Sequence, residues 1–300
     1  MIKVTSKKIF FVYALCAVLL LLYVFSFTVF SNDGKHKRHS QSIQLLHEAD
    51  VSTIDQIIIQ NNSSAIILNR QNNMWLASSD FTQDNFIPAD TEMLKKLFVN
   101  LATVHKITKA GKKSGVEAFG LSQDTVTAIS LYKDGLEYEH LFFGNLDFTQ
   151  SERYFTTNEL NSVFLIDSSF DSFLSLSSQT WCDPYIISAQ LMDQVFQMGD
   201  IQSLQKEAAD KLLELRHGGF ASLDEINQAL SNPILHDYNL TLHMGDKSVI
   251  KLDFYNSDLT KDSSDYLVKV QFESARTGQS FTYYTKISLW TYNKIKEITL

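Results

Sequence analysis

Residues 125–143 read TVTAISLYKDGLEYEHLFF, and this stretch decides the fold. From Thr125 to Tyr132 the side chains alternate with the two-residue period of a strand. Lys133-Asp134-Gly135 follows, and an Asp-Gly pair accepts the positive φ angles that a tight hairpin needs. Residues 136–143 return as the second strand and stop at Gly144-Asn145. The expectation is a β-rich fold built from antiparallel hairpins.

Working outward from the hairpin, the same signals recur. Toward the N-terminus, residues 51–60 and 65–69 are Ile-rich strands around the turn Asn61-Asn62-Ser63-Ser64. A turn at Asn72-Asn73 leads into a third strand, Met74-Trp75-Leu76. Pro88-Ala89-Asp90-Thr91 opens a helix with Asp90 or Thr91 as cap, and Leu94, Leu97, Phe98 and Leu101 form its apolar stripe. Residues 104–108 are a short strand. Toward the C-terminus, residues 153–157 and 162–167 pair as strands and residues 170–176 form a short helix. The period then changes to helical over residues 201–215. Gly218-Gly219 stops that helix. Ser222 and Glu225 stand at capping-box spacing ahead of another, over residues 222–230. Residues 239–244 and 247–255 are a second hairpin, 266–272 and 281–286 are strands, and 288–298 is a closing helix.

Hairpin, loop, strand, strand and aromatic helix therefore occur in that order twice, over residues 125–176 and 239–298. The expected fold class is α+β: a single N-terminal transmembrane helix followed by two β-rich repeats, each of antiparallel hairpins with packed helices. The expected divisions are a cytoplasmic tail and anchor at 1–30, a juxtamembrane linker at 31–50, a first domain at 51–186 and a second at 187–300.

The anchor is the run from Ile9 to Phe30, IFFVYALCAVLLLLYVFSFTVF, which carries no charge. At 1.5 Å per residue it would cover about 33 Å as a helix, against a hydrocarbon core of about 30 Å. A cleavable signal peptide is the competing reading. It is disfavoured because its apolar region is usually about 7–15 residues, and no A-x-A site follows here. Cys16 lies inside the apolar run rather than at its end, so it is not a lipidation site. The flanks carry Lys3, Lys7 and Lys8 on one side and Lys35, Lys37 and Arg38 on the other, which balances the usual orientation signal. The short basic tail directly against the run favours a cytoplasmic N-terminus and an exported bulk. The expected location is the bacterial inner membrane, single-pass, with the lipid bilayer as partner of residues 9–30.

Composition narrows the chemistry. The chain has 34 acidic and 26 basic side chains, which argues against nucleic acid as a partner. Cys182 is the single cysteine beyond the apolar run, so no disulfide and no multi-Cys zinc site is expected there. No histidine pair has the spacing of a zinc helix, and no Gly-x-Ser-x-Gly elbow occurs. Residues 111–115 resemble a phosphate loop, but Lys106 stands where its first glycine belongs and Lys113 where Ser or Thr belongs. Asp258, Asp262 and Asp265 cluster in one acidic loop, yet Leu267 takes the glycine position of a calcium loop. Most of Tyr132, Tyr138, Phe142, Phe143, Tyr154 and Phe155 read as core or cross-strand pairs, with a minority left for an exposed groove. No catalytic residue, cofactor site or metal site is assigned.

Certain steps also carry a family resemblance. They are the Ile-rich hairpin ending at Arg70, Met74-Trp75-Leu76, Ala89-Asp90 before the helix, Ala118-Phe119-Gly120-Leu121, Leu141-Phe142-Phe143-Gly144 and Arg153-Tyr154-Phe155. Through them residues 51–186 resemble a bacterial family of unknown function whose members accompany gliding-motility-type ABC transport systems. The resemblance implies a membrane-tethered, non-enzymatic accessory subunit, with an ABC-type permease and its auxiliary ectodomain protein as partners. The alternative is a membrane-anchored carrier or sensor that binds a small or lipidic ligand between the two repeats.

Overall fold

In the computed structural model the hairpin closes as its sequence requires. Asp134 and Gly135 take φ of 52° and 75°, the left-handed pair of a two-residue turn. The Asp134 amide also donates to Asp55 Oδ2 at 2.8 Å, which ties the turn to the start of a distant strand. The structure describes residues 19, 40–71, 74–78, 86–191, 206–256 and 265–299.

Ten strands form the first sheet: β1 (Ser40–Gln44), β2 (Gln56–Gln60), β3 (Ala65–Gln71), β4 (Met74–Ser78), β5 (Ile87–Pro88), β6 (Val104–Lys112), β7 (Thr127–Lys133), β8 (Leu136–Leu146), β9 (Glu152–Thr157) and β10 (Ser162–Asp167). Their spatial order is β1-β6-β10-β9-β8-β7-β2-β3-β4-β5. Five more form the second: β11 (Gly219–Phe220), β12 (His236–His243), β13 (Val249–Asn256), β14 (Asp265–Glu273) and β15 (Ser280–Ser288), in the order β11-β15-β14-β13-β12. From β6 to β5 in the first sheet, and throughout the second, neighbouring strands are antiparallel.

The expected fold class is corrected here. The protein is mostly antiparallel β-sheet, and its two sheets are unequal rather than repeats of one module. Each half does hold a four-strand meander, β7 to β10 and β12 to β15. The first meander, however, is prolonged on one side by β2, which pairs with β7 from Gln56↔Tyr132 to Gln60↔Ala128, and on the other by β6 against β10. Those pairings join residues far apart in the chain, so no local period announces them. Among the described residues no helix is long and apolar enough to cross a membrane, and the run 9–30 lies outside them except for Leu19. The turn at Asn72-Asn73, the first part of the 201–215 helix and the loop bearing Asp258 and Asp262 also lie outside them. β1 and a helical turn at Glu48–Val51 occupy the stretch read as linker. Ser42–Leu300 is one compact unit, and position 186/187 falls within it.

The helix Thr91–Ala102 covers one face of the large sheet. Leu94, Leu97 and Leu101 are buried against Ile57, Ile59, Ile66, Leu68, Ile129 and Leu141 in a shared core. Phe143 and Phe155 meet there at 5.3 Å between ring centres. The two glycine steps that carry the resemblance touch each other. A side chain on Gly144 would collide with the Phe119 carbonyl, and Gly120 ends its 3-10 turn at φ 69°, against Asn145.

A connecting segment, residues 181–191, laces the sheets together. The Asp90 amide donates to the Trp181 carbonyl and the Asp183 amide to that of Pro88, both at 2.9 Å, so the β5 edge is occupied. On the other side the Ile186 amide donates to Leu215 and the His217 amide to Pro184, each at 3.0 Å. Tyr283 Oη of β15 donates to the Ile186 carbonyl at 2.7 Å. Gln190 fills the place of a missing strand end. Its side chain accepts from the Trp75 amide at 2.9 Å and donates to the Trp75 and Ala89 carbonyls at 2.8 Å each.

Replacing Gln190 by alanine takes the side-chain partner from the Trp75 amide and the Ala89 carbonyl, while the Trp75 carbonyl keeps the Ala89 amide, so Gln190→Ala is expected to lose about 2–4 kcal/mol in urea unfolding. His217 supplies a pH dependence. Its Nε2–H donates to the Asp183 carbonyl and its Nδ1 accepts from the Gly219 amide at 3.1 Å, an arrangement that needs the neutral ring. Burial holds this imidazole below the ordinary histidine value. Its contribution is therefore full above an unfolded pKa of about 6.5 and is lost as pH falls through the lower folded value. Burial raises the Asp183 carboxyl, which works in the opposite sense. Urea midpoints measured across this range should fall on the acid side more steeply in the native chain than in His217→Gln.

Candidate functional site

The helix Thr91–Ala102 begins at Asp90, whose Oδ1 accepts from the Glu92 and Met93 amides at 2.9 and 3.0 Å. That cap fixes where the helix enters the sheet and which residues it leaves outside. Val99 lies about 140° around the helix from Leu94 at about 100° per residue, away from the core stripe. It is 61% exposed, and Val104, just past the helix end, is 62% exposed. These two side chains form the lip of an open groove of about 760 Å³. Trp75, Phe98, Leu94 and Val51 supply its apolar wall, with Glu48 and Lys95 among its polar groups. Trp75 and Phe98 pack at 5.8 Å with their rings tilted by 56°.

Polar anchors hold the wall. Gln44 Nε2 donates to the Ala102 carbonyl at 2.8 Å, closing β1 onto the helix end. Thr103 Oγ1 donates to the Val99 carbonyl at 2.7 Å. A second depression of about 650 Å³ runs along the other side of the helix and shares Lys95, Val99, Thr103 and Val104 with the first. It adds Lys96, Lys106, Glu92, His105 and Asp167.

His105 and Asp167 have the look of a catalytic pair, and their geometry argues against it. Nδ1 lies 3.0 Å from Asp167 Oδ2, while Nε2 donates to the Asn100 carbonyl at 2.8 Å. Both ring nitrogens are engaged, so neither is left to take a proton from a substrate. The ring instead secures the helix end to β6 and packs against Phe170 at 5.1 Å. Burial pulls the Asp167 carboxyl up, but hydrogen bonds from Ser169 and His105 outweigh it and hold the group below its ordinary range.

The residues singled out from sequence are dispersed. Cys182 is 2% exposed in the core, and burial beside Asp183 and Asp90 pushes its thiol well up, away from the reactive thiolate. Gly111 is the penultimate residue of β6 and lies against Phe119, and residues 113–119 form a 3-10 turn rather than a phosphate cradle. Asp265 starts β14 and Asp253 lies in β13. Of the aromatic residues, Phe143 and Phe155 are core, Phe142 stacks on His140 at 4.2 Å, Tyr154 meets Phe119 at 4.8 Å and Tyr138 donates to Asp50 at 3.0 Å. The groove uses Trp75 and Phe98 instead. Its one sequence signal is Val99, an apolar residue off the helix stripe.

The fold and groove define an antiparallel β protein with a helix-walled apolar groove. A DUF4340 domain, a domain of unknown function, is found at residues 75–219. No curated protein and no solved structure matches the chain. The matched region runs from Trp75 in β4 to Gly219 in β11, and so omits β2 and β3, which lie between β7 and β4. Residues 75–219 produced alone should therefore give no cooperative urea transition, whereas residues 40–300 should. Circular dichroism and near-ultraviolet signals monitored together test this.

Proposed function

We propose that the protein is a membrane-tethered, non-enzymatic accessory subunit of an ABC-type envelope transport or gliding-motility-like assembly. Residues 9–30 hold it in the bacterial inner membrane, and the bulk of the chain is extracytoplasmic. It works by contact, and the groove beside Thr91–Ala102 is the contact surface. One observation carries this reading: two aliphatic side chains, Val99 and Val104, stand more than half exposed on the lip of an apolar groove whose wall is held by hydrogen bonds. Exposed apolar surface rimmed by polar groups is the mark of a protein-binding site. The partners that fit are an ABC-type permease and its auxiliary ectodomain protein, which the family resemblance implies.

A second reading rests on the groove's volume. About 760 Å³ falls within the range of small-molecule sites, which suits a carrier or sensor for a lipidic ligand.

The two readings separate in one experiment. A photo-crosslinking amino acid replaces Val99 in the full chain within intact membranes, and the adducts are identified by mass spectrometry. The subunit reading expects a permease or ectodomain protein attached at that position, with the adduct lost in Val104→Glu. The carrier reading expects lipid adducts. Unrelated abundant proteins alone would sink both. Both positions are open to solvent, so Val104→Glu should change stability by no more than about 0.5 kcal/mol.

A further inference from the structure

The chain as a whole is acidic, with a formal net charge of -8, yet residues 93–116 hold six lysines and no aspartate or glutamate. The fold sets this stretch on the helix Thr91–Ala102, on β6 and on the turn that follows, at one end of the large sheet. Lys95, Lys96, Lys106, Lys109 and Lys112 are exposed, and Lys113 donates to the Thr157 carbonyl at 2.8 Å. Elsewhere lysines find carboxylates: Lys133, Lys211, Lys251, Lys286, Lys294 and Lys296 each lie within 3.9 Å of one. Among the described residues, none of the five exposed lysines has such a partner. Lys95, Lys96 and Lys106 line the depression of about 650 Å³, whose carboxylates are Glu92 and Asp167, and Asp167 is held by His105. Cations gathered without counter-charges repel one another and attract an anionic partner.

Position in the chain says which partner. β6 stands next to β1 in the sheet, and β1 begins at Ser40, ten residues past Phe30. Ten residues reach at most about 36 Å. Lys35, Lys37 and Arg38 fall within that span. We infer that β6 and the adjoining helix form a bilayer-facing surface whose ligand is the headgroup layer of anionic phospholipids. The inference rests on the anchored reading of residues 9–30 and is independent of what fills the groove. The choice of cation agrees with it. No arginine occurs from residue 71 to residue 152. A lysine ammonium is a compact point charge, which suits a fluid layer of phosphates, whereas gripping one phosphate in fixed geometry calls for arginine. Lysines near an anionic leaflet add their attractions, and salt screens them. The contact fixes the tilt of the domain above the membrane. It also holds the neighbouring groove, which shares Lys95, Val99 and Val104 with the depression, close to the bilayer plane where a permease lies.

The test uses the full chain carrying Cys16→Ser and Ala110→Cys, since Cys182 is buried and Ala110 is exposed between the lysines of β6. A fluorophore on the new cysteine is read in vesicles doped with a headgroup quencher. The vesicles are phosphatidylcholine alone or phosphatidylcholine mixed with phosphatidylglycerol. Quenching should appear with phosphatidylglycerol and be relieved by salt. Lys106→Gln, Lys109→Gln and Lys112→Gln together should lower the ratio of quenched to free probe by about tenfold or more. Lys95→Gln with Lys96→Gln should lower it in the same direction. Equal quenching in the two lipids, or quenching that both sets of substitutions leave unchanged, overturns the inference. So does release by inorganic phosphate beyond that by chloride at equal ionic strength, which marks a discrete phosphate site. Lysine-dependent capture of an acidic protein without lipid quenching overturns it too. Flotation after an alkaline carbonate wash reads the anchor separately. A chain stripped from both vesicles removes the anchored reading, while its lysine-dependent quenching on added phosphatidylglycerol vesicles still decides this inference.

Discussion

The architecture depends on residues 181–191 giving their main-chain hydrogen bonds to two sheets at once. Unpaired amides and carbonyls at a buried sheet edge are costly. The large sheet ends at the two-residue strand β5, and the small one begins at the two-residue strand β11. Neither is long enough to seal an edge. The connector seals the first and clasps the chain entering the second, and Gln190 completes the job with a side-chain amide shaped like a peptide group. Cys182, Asp183 and His217 are buried or half-buried here because the connector passes between packed layers. Their perturbed protonation is a consequence of that position.

The same constraint shapes the groove. Trp75 is pinned by Gln190 through both its amide and its carbonyl, and its ring forms part of the groove wall. The helix opposite is fixed at its start by Asp90, whose own amide is held by Trp181. At its end it is held by Gln44 and His105. Each wall is therefore set by hydrogen bonds from distant parts of the chain. A surface held in this way can present Val99 and Val104 without first losing much conformational freedom, which favours binding by contact.

The domain match and the fold do not share boundaries. Residues 75–219 contain the helix, the groove's aromatic wall and the connector, yet β2 and β3 lie outside the match while sitting inside the large sheet. A sheet order that inserts an early hairpin between later strands separates the recognisable stretch of sequence from the folding unit. The second sheet lies almost wholly beyond the match.

Local chemistry was legible without the structure. The Asp134-Gly135 turn, the Asp90 cap, the Ser222 and Glu225 capping box and the closing helix, Leu289–Thr299, stand where their residues place them. Each is settled by neighbours within a few positions, through φ preference, a free amide or a helical stripe. The pairing of β2 with β7, the bridging by Gln190 and the docking of His105 on Asn100 and Asp167 were not legible. They join groups distant in the chain, and no residue spacing encodes them. Hence the α+β repeat reading failed while the hairpins survived: the meanders are local, but what extends them into sheets of ten and five strands is long-range. The groove follows the same rule. Val99 could be seen as an apolar residue out of place, but only tertiary packing set Trp75 and Phe98 beside it and turned an irregular side chain into a surface.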